Sequence, residues 1–430
     1  MEGSPSYKSH VLILPFLGHG HINPMLHFSE RLASKNIKIT VAATVSSIKT
    51  LPSQPPYISF EPIYDESTDG GYAGPGGFCG LVQRLESSGR KILVELVKKS
   101  KETQNPIKCL VYDVSFSWAL NLAREVGIMS AAFVTQSCAT MASYLKVMEA
   151  IANDEPDPLA LVPEFGFDKL PSMGEESGRI PTILAYMLRH FEGIEKADWR
   201  RMMVGPTLSS IYLENQVENK KRNDHSLLES TGDTCMDWLN TKKPNSVLYV
   251  AFGSAVHFSA AQMEEFAWRL NQSNTDFLWV VRASEEHKLP TTFKEEVSGK
   301  GLIVSWCAQL DVLSHRAVGC FMTHCGWNST VEAISFGVPM IPVPQFADQF
   351  VDAKFVEEVW EVGMRPKIDD KGYITREEIQ RCIKEVMEGE KTEKIKRNAL
   401  KWKELAVEAV TNGGTTDRNI VEIVERLVNQ

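Results

Sequence analysis

Short apolar runs alternate with amphipathic stretches along most of the chain. His10–Phe16 is an apolar run, and Ile37, Ile39 and Val41 alternate as a second strand. Between them, Met25, Leu26, Phe28 and Leu32 recur at helical spacing over 25–34, with Asn23 placed to cap the helix and Pro24 at its first position. The same order returns in Cys109–Tyr112, ending at Asp113, with a helix over 117–126. Ala131–Val134 and a helix over 136–151 repeat it. A second series begins with a short helix near 233–239. It runs through Val247–Ala251, Gln262–Leu270, Phe277–Val281, Leu302–Ser305 and the run Gly319–Thr323. Helices starting near Arg376, Glu393 and Asp417 finish the chain. Short, uninterrupted apolar strands joined by amphipathic helices are the pattern of parallel sheets covered on both faces. The pattern predicts an α/β protein with two doubly wound, Rossmann-like parallel-sheet domains.

The interruptions set the expected boundaries. Gly70–Gly80 holds six glycines and reads as a mobile loop before a helix over 82–99. Residues 153–171 are proline-rich and irregular, and helices are expected to resume between 182 and 199. The polar segment 208–232 reads as a linker. The expected domains are therefore 1–232 and 233–412, with a last helix over 413–430. A chain of 430 residues is too long for one ordinary core, and 43% hydrophobic residues suffice for two.

Charge and composition then remove whole classes of function. A net charge of -9 with no basic run argues against nucleic acid and anionic membranes as partners. The start MEGSPSYKSH lacks the apolar core of a signal peptide, and no apolar run reaches membrane-spanning length. Eight scattered cysteines without C-x-x-C pairs fit reduced thiols in a cytosol, so a cytoplasmic location is expected; the chain is also expected to be a monomer. Cys320, His324 and Cys325 lie close in sequence, but no second ligand pair accompanies them, and no metal is expected.

Four polar sites follow predicted strands: His21, Asp113, Ser254 and His324. In doubly wound sheets the ligand crevice lies at the carboxyl ends of strands, so facing domains would gather all four around one cleft. His21 is a candidate general base, and Asp113 can hold its other ring nitrogen. The glycine-rich turn before His21 includes Gly20, counted with the donor-binding set. It is not the dinucleotide fingerprint, because Asn23 stands where the last glycine would be.

The stretch from Trp306 to Gln349 carries the densest set of polar residues. Gly326 allows close approach of backbone to a ligand, and a helix starting near Asn328-Ser329 is a seat for pyrophosphate. Asn328 and Glu332 share one helix face, which puts Glu332 one turn behind the phosphates, at the distance of a ribose. From Trp306 to Asp348-Gln349 this stretch resembles the signature box of the plant UDP-dependent glycosyltransferases of small molecules, with that family's full spacing. The resemblance implies the two-domain GT-B arrangement, with the last helix crossing back to the first domain. It implies Trp306 on uracil and Gln309 near the uridine. His324, Asn328 and Ser329 would meet the diphosphate, Glu332 the ribose, and Trp327, Asp348 and Gln349 the sugar. It also places His21 and Asp113 where the family has its dyad. Cys307-Ala308 departs from the Ala-Pro of many members without touching an expected contact side chain, and Cys307 is kept in the donor set.

No Asp-x-Asp occurs, so helix amides with Ser254, His324 and Ser329 are expected to stabilise the leaving diphosphate without metal or cofactor. UDP-glucose is the expected donor, and direct attack would give a β-glucoside. The acceptor is expected to be bulky and apolar, held by Phe16, Phe116, Gln136, Met141 and Tyr186. Asn23-Pro24 and Gln136-Ser137-Cys138 resemble the subgroup acting on plant acids, triterpenoids and steroids. The alternative is a non-catalytic nucleotide-sugar or metabolite-binding protein, which would need neither His21 nor Asp113. One place fits the family poorly. Residues 197–201 run almost directly into 204–207, where a strand and a helix would be expected, so the completeness of the first sheet stays open.

Overall fold

The computed structural model describes residues 7–49, 57–65, 74–75, 77–157, 188–189, 191, 196–198, 202–208, 234–254, 256–297, 299–346 and 348–429. In chain order its first elements are β1 (Ser9–Leu14), α1 (His19–Ser34), β2 (Ile37–Thr44), α2 (Val45–Lys49), β3 (Ile58–Tyr64), α3 (Gly77–Ser100), β4 (Cys109–Asp113), α4 (Ala119–Val126), β5 (Met129–Phe133) and α5 (Cys138–Ala152). Then come α6 (Thr234–Asn240), β6 (Val247–Ala251), α7 (Ala260–Gln272), β7 (Asp276–Val280), α8 (Phe293–Glu296), β8 (Gly301–Val304) and α9 (Gln309–Ser314). The chain closes with β9 (Val318–Thr323), α10 (Trp327–Phe336), β10 (Met340–Pro342), α11 (Gln349–Lys354), α12 (Arg376–Met387), α13 (Thr392–Val410) and α14 (Thr415–Val428).

Contacts divide the chain into two units. One is Met1–Thr135 with Thr182–Glu229 and Ala409–Gln430; the other is Gln136–Pro181 with Ser230–Glu408. The first boundary differs from the sequence expectation, because α5 packs against α11 and groups with the second unit. The expected linker and Tyr186 lie outside the described residues.

The first unit holds a parallel sheet in the order β3-β2-β1-β4-β5. Strand β3 was not expected: its exposed Ser59 and Pro62 hide it from a search for continuous apolar runs. On one face, Val11, Ile13, Ile39 and Val41 pack with Met25 and Phe28 of α1 and with Ile420, Ile423, Val424 and Leu427 of α14. On the other, Leu12 and Leu14 pack with Leu85 and Leu93 of α3. The expected loop to Gly80 is shorter, because α3 begins at Gly77. A Cβ at Gly80 would meet the Pro75 carbonyl oxygen at 2.1 Å, so that glycine serves a close backbone approach. No strand or helix follows Asp198 before Thr234 among the described residues; Asp198 caps the sheet instead, accepting from the Ser130 N–H and hydroxyl, each at 2.8 Å.

The second unit holds a parallel sheet in the order β10-β9-β6-β7-β8. Leu248, Val250, Trp279, Cys320 and Met322 form its core with Phe266 of α7 and Ile379 and Ile383 of α12. In both units two strands distant in sequence lie side by side: β1 beside β4, and β6 beside β9. That adjacency brings the polar strand ends together. Among the described residues, no helix is long and apolar enough to cross a membrane.

Candidate active site

In the first unit, Leu14 of β1 is in register with Tyr112 of β4, so the residues just past both strands meet. His21 Nδ1 lies 2.7 Å from Asp113 Oδ2. His21 was expected in a turn before the helix, with Asn23 as cap. Instead α1 starts at His19, and the His21 and Ile22 N–H groups donate to the Gly18 carbonyl. The imidazole therefore stands on the rigid first turn of a helix. Gly18 itself has φ +92, a conformation that suits glycine. Asp113 is fully buried and accepts through Oδ1 from the Ser115 N–H at 2.9 Å. Burial pushes its carboxyl up, but the charge and hydrogen bond of His21, with the Ser115 donors, outweigh that and hold it below the usual carboxylate range. A carboxylate at Nδ1 fixes the proton there and leaves the lone pair on Nε2.

Thr135 completes the group and was missed by sequence reasoning. Its Oγ1 is 3.1 Å from His21 Nδ1 and 3.5 Å from Asp113 Oδ2. The signal was present: Thr135 follows strand β5 as His21 follows β1. Phe16 meets the His21 ring edge-on at 5.2 Å and Phe116 at 5.0 Å. Of the expected acceptor residues, these two gather beside His21. Gln136 and Met141 belong to the second unit, where Gln136 hydrogen-bonds the buried Tyr144 hydroxyl.

In the second unit, Ala251 of β6 is in register with Thr323 of β9, which sets Ser254 and His324 at neighbouring strand ends. The His324 ring is clamped between two glycines. A Cβ at Gly253 would lie 2.6 Å from its Nε2, and one at Gly326 would lie 2.5 Å from it. Gly326, expected to allow close approach of a ligand, also permits the close approach of His324. Burial, with Arg282 nearby, lowers the imidazole to about 4, so it is neutral at physiological pH. Arg282 also escaped sequence reasoning. It follows β7, the other neighbour of β6, and its guanidinium donates to the carbonyls of Ser254 and Val256, tying down the loop that carries Ser254.

Past β9, α10 begins at Trp327 with Gly326 as its cap, a residue that brings no side chain to the first turn. Asn328 and Ser329 occupy its first turn. One turn on, Glu332 accepts from Gln309 Nε2 at 2.7 Å, and the same nitrogen donates to Ser329 Oγ at 2.9 Å. Tyr249 of β6 donates to Gln309 Oε1 at 3.2 Å and lies 3.3 Å from Cys307 Sγ. Tyr249 is fully buried, so this chain fixes Gln309, Ser329 and Glu332 from inside the sheet. Trp306 beside them is 45% exposed, an uncovered indole of the kind a base can stack on. The Trp327 indole lies 6.4 Å from that of Trp360, tilted against it. Gln349 is buried, and its Oε1 accepts from the N–H groups of Gln345 and Phe346, which shapes the turn before α11. Asp348 is the residue preceding α11. Gly20 lies in the first turn of α1, with open space beside its Cα.

Two parallel-sheet α/β units, one with a buried carboxylate on a histidine and one with a helix N-terminus flanked by a carboxylate and an exposed indole, define a nucleotide-dependent group-transfer protein of the doubly wound class. The family model for UDP-glucoronosyl and UDP-glucosyl transferase matches residues 219–408. UDP-glycosyltransferase 74F2 of Arabidopsis thaliana is 40% identical over 446 aligned residues, covering 98% of each chain. Those 446 exceed the 430 residues here, so that relative carries residues this chain lacks. The Arabidopsis flavonol 7-O-beta-glucosyltransferase UGT74F1 is 40% identical, again over 98% of both. The crystal structure of Os79 from O. sativa in complex with UDP superposes with a TM-score of 0.85 at 34% identity, covering 97% of this chain and all of that one. The chain belongs to the UDP-glycosyltransferase family, and its two sheets are those of the GT-B fold.

Proposed function

We propose that this glycosyltransferase moves glucose from UDP-glucose to a hydroxyl, or a carboxyl, of a bulky hydrophobic small molecule such as a steroid, triterpenoid or phenolic. The observation that carries the reading is the 2.7 Å bond between His21 and Asp113 at adjoining strand ends. His21 Nε2 takes the acceptor proton as the acceptor oxygen attacks the anomeric carbon. The bond from that carbon to the diphosphate breaks, and UDP leaves with the electron pair. Attack opposite the leaving group inverts an α-linked donor to a β-glucoside. Asp113 orients the ring and stabilises the imidazolium, with Thr135 steadying both. The amides of α10, with Ser254, Asn328, Ser329 and neutral His324 as donors, receive the diphosphate without a metal ion. Trp306 stacks on the base, Gln309 and Glu332 hold the ribose end, and Asp348 and Gln349 meet glucose. Apolar Phe16 and Phe116 beside His21 support a hydrophobic acceptor, and a flavonol glucosyltransferase among the relatives supports glucose transfer to a hydroxyl. The described cysteines are all free, which suits a reducing cytosol. An acceptor screen with UDP-glucose and UDP-galactose, read by product mass and retention against standards, tests the reading. Glucosides of flat or polycyclic aglycones are expected; galactosides as main products, or turnover only on small polar acceptors, would refute it.

A further inference from the structure

Tyr249 sits on β6, inside the second sheet, and no step of the mechanism above uses it. It is 1% exposed, and its ring stacks on Phe321 of β9 at 4.7 Å. Its hydroxyl lies 3.2 Å from Gln309 Oε1 and 3.3 Å from Cys307 Sγ. On its other side the Gln309 amide meets Ser329 Oγ at 2.9 Å and Glu332 Oε2 at 2.7 Å, both through Nε2. A carboxylate only accepts hydrogen bonds, so the bond to Glu332 fixes which way the amide faces. Gln309 gives its Nε2 protons to Glu332 and Ser329 and turns its oxygen to Tyr249. The single hydroxyl proton of Tyr249 goes to that oxygen, which has none to give. The Tyr249 oxygen is then left to accept from the Cys307 thiol. At the far end, Ser329 accepts from Gln309 and so keeps its own proton to donate; among the described residues no protein acceptor meets it. The bonds run in one direction, from Cys307 through Tyr249 and Gln309 to Ser329 and Glu332, and each polarises the next.

We propose that Tyr249 is a positioning residue for the nucleotide: its hydroxyl holds the Gln309 amide in the one orientation that presents Ser329 as a hydroxyl donor and Glu332 as an acceptor at the start of α10. The inference rests on the reading of Gln309, Ser329 and Glu332 as nucleotide contacts. Gln309 is the first residue of α9, a helix of six residues, and a glutamine side chain is long and flexible. Without the tyrosine, its amide is held at one edge only. A released amide can turn its oxygen toward Ser329, which would then spend its proton inside the protein, and toward Glu332, which would be repelled. Because Tyr249 stands on a strand buried along its whole length, the arrangement is set before the nucleotide arrives.

The test is a double-variant cycle read by calorimetric titration with UDP. It compares the full-length wild type with Tyr249→Phe, Gln309→Ala and the two combined. Phenylalanine keeps the ring and its stack on Phe321, so only the hydroxyl is lost. Tyr249→Phe should weaken UDP binding about 5- to 20-fold, the worth of a buried hydrogen-bonding group left without its partner. Gln309→Ala should weaken it at least as much. In the Gln309→Ala background the tyrosine substitution should cost less than about 2-fold more, because Tyr249 reaches the nucleotide through Gln309. A tyrosine that merely packed the sheet would show its full loss in both backgrounds, and that result would overturn the proposal. Unchanged UDP affinity in Tyr249→Phe beside a weakened Gln309→Ala would overturn it too, and would leave the nucleotide reading standing. Unchanged affinity in Gln309→Ala would instead remove Gln309 as a nucleotide contact, and this inference with it.

Discussion

Gly253 and Gly326 lie on either side of the His324 imidazole, and neither can carry a side chain without moving it. Gly253 also has φ +71, which other residues reach only with strain. Gly326→Ala should therefore displace His324 from the first turn of α10. The cost expected of overpacking, about 1–3 kcal/mol, corresponds to UDP binding weakened at least about 5-fold. Calorimetric titration with UDP checks this, and an unchanged dissociation constant would contradict the clamp. At this scale the sequence was legible in the placing of polar side chains at strand ends, as with His21, Asp113, Ser254 and His324. It was less so for residues that act through another residue. Thr135, Arg282 and Tyr249 reach His21, Ser254 and Gln309 only through the order of strands in the sheets, and an isolated Tyr in VLYVA reads as one more apolar strand residue. Gln349 likewise has a role that pattern does not show: its oxygen accepts from the N–H groups of Gln345 and Phe346 in the turn before α11.

Elements were legible in proportion to their burial. Strands β1, β4, β6 and β9 are buried along their whole length and read directly from the sequence. Edge strand β3 is only partly buried and carries Pro62, so the same search passes over it. Helix α1 starts before its apolar stripe because Gly18, not Asn23, caps it. Strands β1 and β2 are tied by a buried histidine, and that tie should be sensitive to pH. His10 Nε2 is 2.9 Å from Thr40 Oγ1, and Nδ1 is 2.9 Å from the Asn105 carbonyl. Burial lowers its imidazole to about 4, against the pull of the Asn105 carbonyl and with a smaller push from Lys38. Between about pH 6.5 and 4 the unfolded chain then binds a proton that the folded chain refuses, so stability falls as pH falls, and the part that depends on His10 is fully lost below the folded value. The loss attributable to His10 is about 3 kcal/mol. Melting temperatures at pH 7.5 and pH 5 should differ less in His10→Gln than in the wild type; an equal drop in both would show that His10 does not carry the effect.

For the whole molecule, the repeated strand-helix order sufficed to reveal two sheets, because each buried strand announces itself without reference to the others. The sorting of α5 with the second unit was hidden, since its partners on α11 lie about two hundred residues further along. Two claims belong to the assembled enzyme. If the diphosphate is received by helix amides and neutral donors, chelator should leave turnover within about 2-fold of its starting value. Loss of activity with EDTA, restored by a divalent cation, would contradict that. The central claim is that His21, oriented by Asp113, is the general base. Turnover of an alcohol acceptor by His21→Ala, beside UDP affinity in the same preparation, tests it most directly. The dyad predicts kcat lower by about 10²–10⁴ with UDP binding preserved, a smaller loss in Asp113→Asn, and a double variant scarcely worse than His21→Ala. Near wild-type turnover by folded His21→Ala would contradict it.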